Sequence, residues 1–179
     1  MTDPVETVID SQPIYQGRIV RFRVDTVALP DGSTAIREIV WTPGAVVIVP
    51  LTDDRQVRMV RQYRSAIREF LLELPAGTLE PGEPPEQAAP RELAEETGDR
   101  AAHWQRLTGF YTVPGICNEY IHLFLATGLT PGQTNREADE FLEVVTLPLD
   151  QALAMVRSGE IRDAKTIIGL LMMGEREET

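Results

Sequence analysis

The sequence predicts an α+β fold. Strand-like stretches lie on both sides of one Gly/Pro-rich loop and helix, further helical patterns are confined to the C-terminal portion, and no regular β-α-β alternation runs through the chain. A doubly wound parallel sheet is therefore not expected, whereas a mixed sheet covered by a few helices is.

Residues 15–29 interleave Val, Ile and Phe with polar residues, and Pro30, Asp31 and Gly32 supply a turn before the pattern resumes over 33–41, which reads as a hairpin. Residues 45–51 form a short apolar run, as a strand buried on both faces would, and 57–63 alternate as a half-buried strand does. Pro75, Gly77, Pro81, Gly82, Pro84 and Pro85 crowd the next stretch and exclude helix or sheet interior, so a structured loop is expected. Pro85 suits the first turn of a helix over 86–97, and Gly98 suits its left-handed cap. Pro90 removes one helical hydrogen bond and predicts a bend or weakened first turn. Strands are expected at 104–111, 120–126 and 141–147, with Pro114 and Gly115 in a turn, and helices at 149–158 and 163–173.

Composition narrows the function. The 179 residues, 42% hydrophobic and 25% charged, can bury a core of ordinary globular type. A net charge of −11 opposes binding to a phosphate backbone, so nucleic acid is not expected as a partner. A small anion can still bind where metal ions or local arginines reverse the sign. Cys117 is the only cysteine, which excludes an intramolecular disulfide, and a zinc site would have to lean on His103 and His122. The first residues lack a signal-peptide pattern and no apolar run is long enough to span a bilayer, so no membrane association and a cytoplasmic location are expected.

Glu92, Glu95 and Glu96 lie close together on the predicted helix, and positions three and four apart share a face. Such acids are commonly a solvated surface. Stacked like charges repel, however, and a hard divalent cation between oxygen ligands would relieve the repulsion. The wider spacing carries more weight. Gly77, Glu83, Arg91, Glu92, Leu93, Glu95, Glu96 and Gly98 resemble the Nudix box at eight of its nine defining positions, with Asp99 standing where an apolar residue is usual.

That resemblance implies a Nudix-type α/β/α sandwich with a mixed β-sheet and hydrolysis of a nucleoside diphosphate linked to another group. It implies Mg2+, or alternatively Mn2+, held by Glu92, Glu96, Glu95 and the carbonyl of Ala76, with Arg91 orienting a carboxylate. Glu83 is expected to orient the loop. The segments Arg61 to Arg64 and Leu72 to Gly77, and Pro114 sixteen residues after Gly98, are similar to the ADP-ribose pyrophosphatase branch. In that branch the general base comes from an acidic loop, which points to Glu140, with Glu137 as the alternative.

By the same resemblance Arg64 contacts substrate phosphates, Arg37 reaches the ligand from a partner subunit, and Pro114 lies near the substrate. Residues 1–43 are then a strand region for homodimerisation and residues 44–179 the hydrolase domain. The expected reaction converts ADP-ribose to AMP and ribose 5-phosphate. Another nucleoside diphosphate sugar such as GDP-mannose, or nucleotide sensing without cleavage, stand as alternatives.

Overall fold

The computed structural model describes residues 3–134 and 141–175, which form two compact units. Unit 1 comprises residues 1–44 and 111–120, and unit 2 comprises residues 45–110 and 121–179.

Unit 1 is a three-stranded antiparallel sheet in the order β1-β2-β3, formed by β1 (Thr7–Gln16), β2 (Arg21–Ala28) and β3 (Thr34–Trp41). The hairpin expected from 15–29 and 33–41 is thus only β2 and β3, and an earlier strand precedes it. Every residue of β1 is exposed, so its sequence carries no burial alternation by which it could be recognised. Pro13, which cannot donate to a ladder, sits on this edge strand beside a register shift. The 111–120 segment is fastened by Val40 N–H donating to the Ile116 carbonyl at 2.8 Å. The Asn118 side chain accepts from the Thr42 amide at 2.8 Å and donates to the Thr42 carbonyl at 3.0 Å.

Unit 2 holds two sheets and all the helices among the described residues. The mixed sheet has the order β7-β4-β9-β8, built from β4 (Ala45–Pro50), β7 (Ala76–Thr78), β8 (Arg100–Tyr111, ending in unit 1) and β9 (Tyr120–Thr130, starting there). Strand β4 runs parallel to β9 and antiparallel to β7. The second sheet is antiparallel, in the order β10-β5-β6, with β5 (Gln56–Arg64), β6 (Glu69–Glu73) and β10 (Leu142–Pro148). The helices are α1 (Pro85–Thr97), α2 (Leu149–Ser158) and α3 (Ala164–Glu175).

Strand β4 explains the layering. Its side chains alternate between faces, so Val46 and Ile48 pack on Ala88, Ala89 and Leu93 of α1, while Val47 and Val49 join Leu149, Leu153, Leu170 and Met173 of α2 and α3. Both faces are covered, which is why this strand reads as an unbroken apolar run. Each large side chain buried here contributes roughly 1.5–3 kcal/mol of transfer free energy.

Two further elements differ from the sequence expectation. The Gly/Pro-rich stretch contains β7, which its composition tolerates because β7 is a three-residue edge strand. Strand β6 was not expected either, since EFLLE lacks a two-residue alternation. Helix α1 continues as one element through Pro90, whose exposed ring lies off the packed face.

Candidate active site

The crossover between the two sheets of unit 2 creates the site. Strand β6 ends at Glu73, Leu74 and Pro75 carry the chain across, and β7 begins at Ala76. Pro75 offers its carbonyl to the Ile48 amide at 2.9 Å, and the Leu74 amide donates to Thr166 Oγ1 at 2.8 Å. A short turn is thereby pinned on both sides.

Helix α1 lies against this turn. Its buried positions, Ala88, Ala89, Glu92, Leu93, Glu96 and Thr97, follow the spacing of one helical face. The small and apolar members join the core, while the two acids occupy the part of that face beside β7. Glu92 is 7% exposed and Glu96 3%. Glu96 Oε2 accepts the Ala76 amide hydrogen at 3.1 Å. A Cβ placed on Gly77 would fall 1.9–2.2 Å from the Glu92 carboxylate atoms, so the backbone and the carboxylate occupy space that no larger residue leaves open. The left-handed cap at Gly98 ends the helix, its amide donating to the Ala94 carbonyl at 3.0 Å.

Arg91 organises the remaining acids. Its Nε and Nη2 donate in a fork to Glu83 at 2.9 and 2.8 Å, and Nη1 donates to Glu92 Oε1 at 2.8 Å and Glu95 Oε2 at 3.0 Å. Glu83 also accepts the Glu80 amide at 3.0 Å, which ties the Gly/Pro-rich loop to the helix. The Arg91 hydrogen bonds hold the Glu83 carboxyl below the usual carboxylate range. The same pairing with Glu83, together with the charge of Glu92, raises the guanidinium above its ordinary value. One cation therefore serves three carboxylates, and the helix face stays net negative.

Among the described residues no group of three or more His, Cys, Asp or Glu side chains converges tightly enough to enclose a metal ion. Glu83, Glu92 and Glu95 turn toward Arg91 instead, and Glu96 toward the Ala76 amide. The donor set nevertheless fits a hard divalent cation in type. It is made of oxygen atoms, two of its acids are buried, and the glycine backbone beside them admits close approach.

The other residues singled out from the sequence fall in three places. Arg64, at the end of β5, donates through Nε and Nη2 to Glu73 at 2.8 and 2.5 Å. Burial by itself would raise the Glu73 carboxyl, but the hydrogen bonds and charges of Arg64 and Lys165 hold it below its ordinary value. Arg37 and Pro114 belong to unit 1, where Arg37 donates through Nε to Glu6 at 2.9 Å and Pro114 lies in the turn closed by Cys117 N–H on the Val113 carbonyl. Glu137 and Glu140 lie outside the described residues.

Asp99, the departure from the usual box, is 3% exposed and receives Arg58 Nε at 2.7 Å and Nη2 at 3.3 Å. Arg58 Nη1 also donates to Thr146 Oγ1 of β10 at 3.1 Å. A partly buried ion pair thus stands after the helix, at the position where the box departs from its apolar type.

The sequence reading did not single out Lys165, which donates to Glu73 Oε2 at 2.7 Å. One signal was present: Lys165 is the only lysine in a chain that otherwise carries its positive side-chain charge on sixteen arginines.

Comparison with known proteins agrees with this architecture. Residues 41–168 match the NUDIX domain, and residues 6–40 match the nucleoside diphosphate sugar hydrolase N-terminal domain. The chain is 41% identical over 174 residues to a Bacillus subtilis protein named ADP-ribose pyrophosphatase, covering 96% of this chain and 94% of that one. It is also 41% identical over 167 residues to a Bacillus methanolicus protein named methanol dehydrogenase activator, covering 92% and 90%. A crystal structure of an ADP compounds hydrolase superposes with a TM-score of 0.87 at 23% identity, covering 99% of this chain and 96% of that one, which establishes the shared fold. The box glutamates on α1, the sandwich around β4 and the match over most of the chain lead to one conclusion: this chain belongs to the Nudix hydrolase family.

Proposed function

We propose that this chain hydrolyses the pyrophosphate bond of ADP-ribose, giving AMP and ribose 5-phosphate, with Mg2+ as the working ion and Mn2+ as a substitute. The observation that carries the reading is the burial of Glu92 and Glu96 side by side along α1, against the Ala76–Gly77 backbone. The Bacillus subtilis relative, similar along nearly the whole chain, supports ADP-ribose as the substrate.

Glu92, Glu95, Glu96 and the Ala76 carbonyl are the groups assigned to hold the cation. When bound, it stabilises charge on the diphosphate oxygens and acidifies the attacking water. Arg91 orients Glu92 and Glu95 through charge-assisted hydrogen bonds. Arg64 presents N–H groups to the diphosphate, and Arg37 of a second subunit is assigned to the same substrate, near Pro114. Glu140 takes the proton of the attacking water, with Glu137 as the alternative. The water oxygen forms the new bond to phosphorus as the bridging P–O bond breaks, and the displaced phosphate leaves with its electron pair.

The reading includes a homodimer formed through residues 1–43, with residues 44–179 as the hydrolase domain. Support comes from β1, which leaves Val8, Ile9 and Ile14 exposed, and from Ile36 of β3, exposed as well. It also includes a cytoplasmic location; no described helix is long and apolar enough to cross a membrane.

The decisive assay offers ADP-ribose, GDP-mannose and NADH side by side, with magnesium and with a chelator. Fastest metal-dependent release of AMP from ADP-ribose is expected. Faster release of GMP from GDP-mannose would reassign the substrate, and binding without cleavage would leave a sensor. For the base, Glu140→Gln is expected to lower kcat by about 100-fold or more with little change in KM. The same loss in Glu137→Gln alone would move the role to Glu137.

A further inference from the structure

Glu73 is the most enclosed carboxylate beside the site. It is 1% exposed and accepts three charge-assisted hydrogen bonds: Arg64 Nε on Oε1 at 2.8 Å, Arg64 Nη2 on Oε2 at 2.5 Å, and Lys165 Nζ on the same Oε2 at 2.7 Å. Lys165 Nζ also lies 2.9 Å from Asp163 Oδ1. Asp163 in turn caps α3, its Oδ2 accepting from the Thr166 amide at 3.0 Å and from the Thr166 hydroxyl at 2.6 Å. The Thr166 hydroxyl oxygen receives the Leu74 amide, so the first turn of α3 is bolted to the β6–β7 crossover beside Glu73.

The two cations on Glu73 are not equivalent. The Lys165 side chain is 17% exposed and faces inward onto two acids, whereas that of Arg64 is 38% exposed. Arg64 uses two N–H groups on Glu73; a guanidinium carries five, so three remain at its outer edge among the described contacts. The charge of Glu96, on the acid-bearing face of α1, also acts on Arg64. An Arg–Glu fork alone is neutral and attracts an anion weakly. Lys165 draws on the same Glu73 Oε2 and, although Asp163 balances part of its charge, the guanidinium keeps more of its field for an outside ligand and Glu73 is held in one rotamer. A compact ammonium suits this enclosed three-way contact, and it is here that the chain uses its only lysine.

We propose that Lys165 is a positioning residue for substrate binding: acting through Glu73, it orients Arg64 and sustains its charge toward the diphosphate of the substrate. This rests on the reading of Arg64 as a diphosphate contact. The prediction is a coupling between two residues that need not touch each other.

The test is a double-mutant cycle of Arg64→Ala and Lys165→Met, read by calorimetric titration of inorganic pyrophosphate in magnesium buffer and by kcat and KM on ADP-ribose, with melting temperature as the fold control. In the otherwise wild-type protein, Lys165→Met is expected to weaken pyrophosphate binding and raise KM by about tenfold, with kcat within about twofold. In the Arg64→Ala background the same substitution is expected to add less than about twofold. Equal losses in both backgrounds, or unchanged pyrophosphate affinity in a folded Lys165→Met protein, would overturn the proposal. Should that variant not fold, Lys165→Gln, which retains an N–H for Glu73, is read by the same cycle and the same criteria. Coupling in pyrophosphate binding without cleavage of ADP-ribose would support the positioning role while rejecting the substrate assignment.

Discussion

Two charge clusters stand close together in unit 2, and they are built on opposite plans. On α1 one guanidinium, Arg91, is shared by Glu83, Glu92 and Glu95, with Glu96 on the next turn, so acids outnumber the cation. At the crossover the sharing is reversed: one carboxylate, Glu73, serves two cations, Arg64 and Lys165, while Asp163 balances Lys165 from its other side. The first plan leaves negative charge that suits a divalent cation. The second leaves an outward guanidinium edge that suits an anion. An acidic protein can therefore bind a diphosphate, because the net charge of −11 says little about a site in which sign is arranged side chain by side chain.

The comparison breaks most severely at Glu96. Glu96→Gln keeps the shape and removes a charge from the acid-rich face, and kcat at saturating magnesium is expected to fall by more than about 100-fold while the protein melts cooperatively near the wild-type temperature. An undiminished rate would remove Glu96 from the metal site. Gly77→Ala sharpens the same point without altering a charge. The atoms nearest the added methyl belong to the movable end of Glu92, so the carboxylate is expected to be displaced first. Activity is expected to fall about 10- to 100-fold with little loss of stability; normal kinetics would show that Glu92 can relocate without consequence.

At the crossover the expected effects are thermodynamic. Glu73→Gln leaves Arg64 and Lys165 short of their shared acid, and about 2 kcal/mol of stability at neutral pH is expected to be lost, less than a fully buried pair would cost because Arg64 reaches solvent. The sign with pH follows from the lowered Glu73 carboxyl. Its contribution is complete above the unfolded glutamate value, about 4.3, and disappears as pH falls through the lower folded value. Denaturant titrations of wild type and Glu73→Gln are therefore expected to converge on acidification below that value, and a constant gap would contradict the assignment.

The smallest effect is expected at Asp99. Asp99→Leu restores the apolar type usual at that position of the box but strands Arg58, at an expected cost of about 1–2 kcal/mol. Adding Arg58→Met is expected to recover most of it, since an apolar pair can replace a buried ion pair. Equilibrium unfolding of the single and double variants checks this, with kcat expected to change less than about twofold.

The site was readable from the sequence to the extent that its parts are neighbours along the chain. Glu92, Glu95 and Glu96 needed only the repeat of one helix to be placed on adjoining faces, and Gly98 needed only the left-handed conformation that glycine tolerates. The double coverage of β4 was likewise visible in its unbroken apolar run. Strands β1 and β6 escaped because neither alternates apolar with polar residues in a way that marks a buried face. Strand β7 escaped because Gly and Pro were read as excluding a sheet, which holds for a central strand and not for a short edge.

What the sequence alone determined about this protein is its family, its acid-bearing helix and the class of reaction, because those depend on spacing within short segments. The tertiary structure decided which charges meet. Arg58 finds Asp99 across 41 residues and Lys165 finds Glu73 across 92, and neither separation has a local signature. Such partners are chosen by sheet order and by the docking of α3 on the crossover. A buried charge must be matched wherever the fold brings a counter-charge, and that match is settled only when the strands have paired.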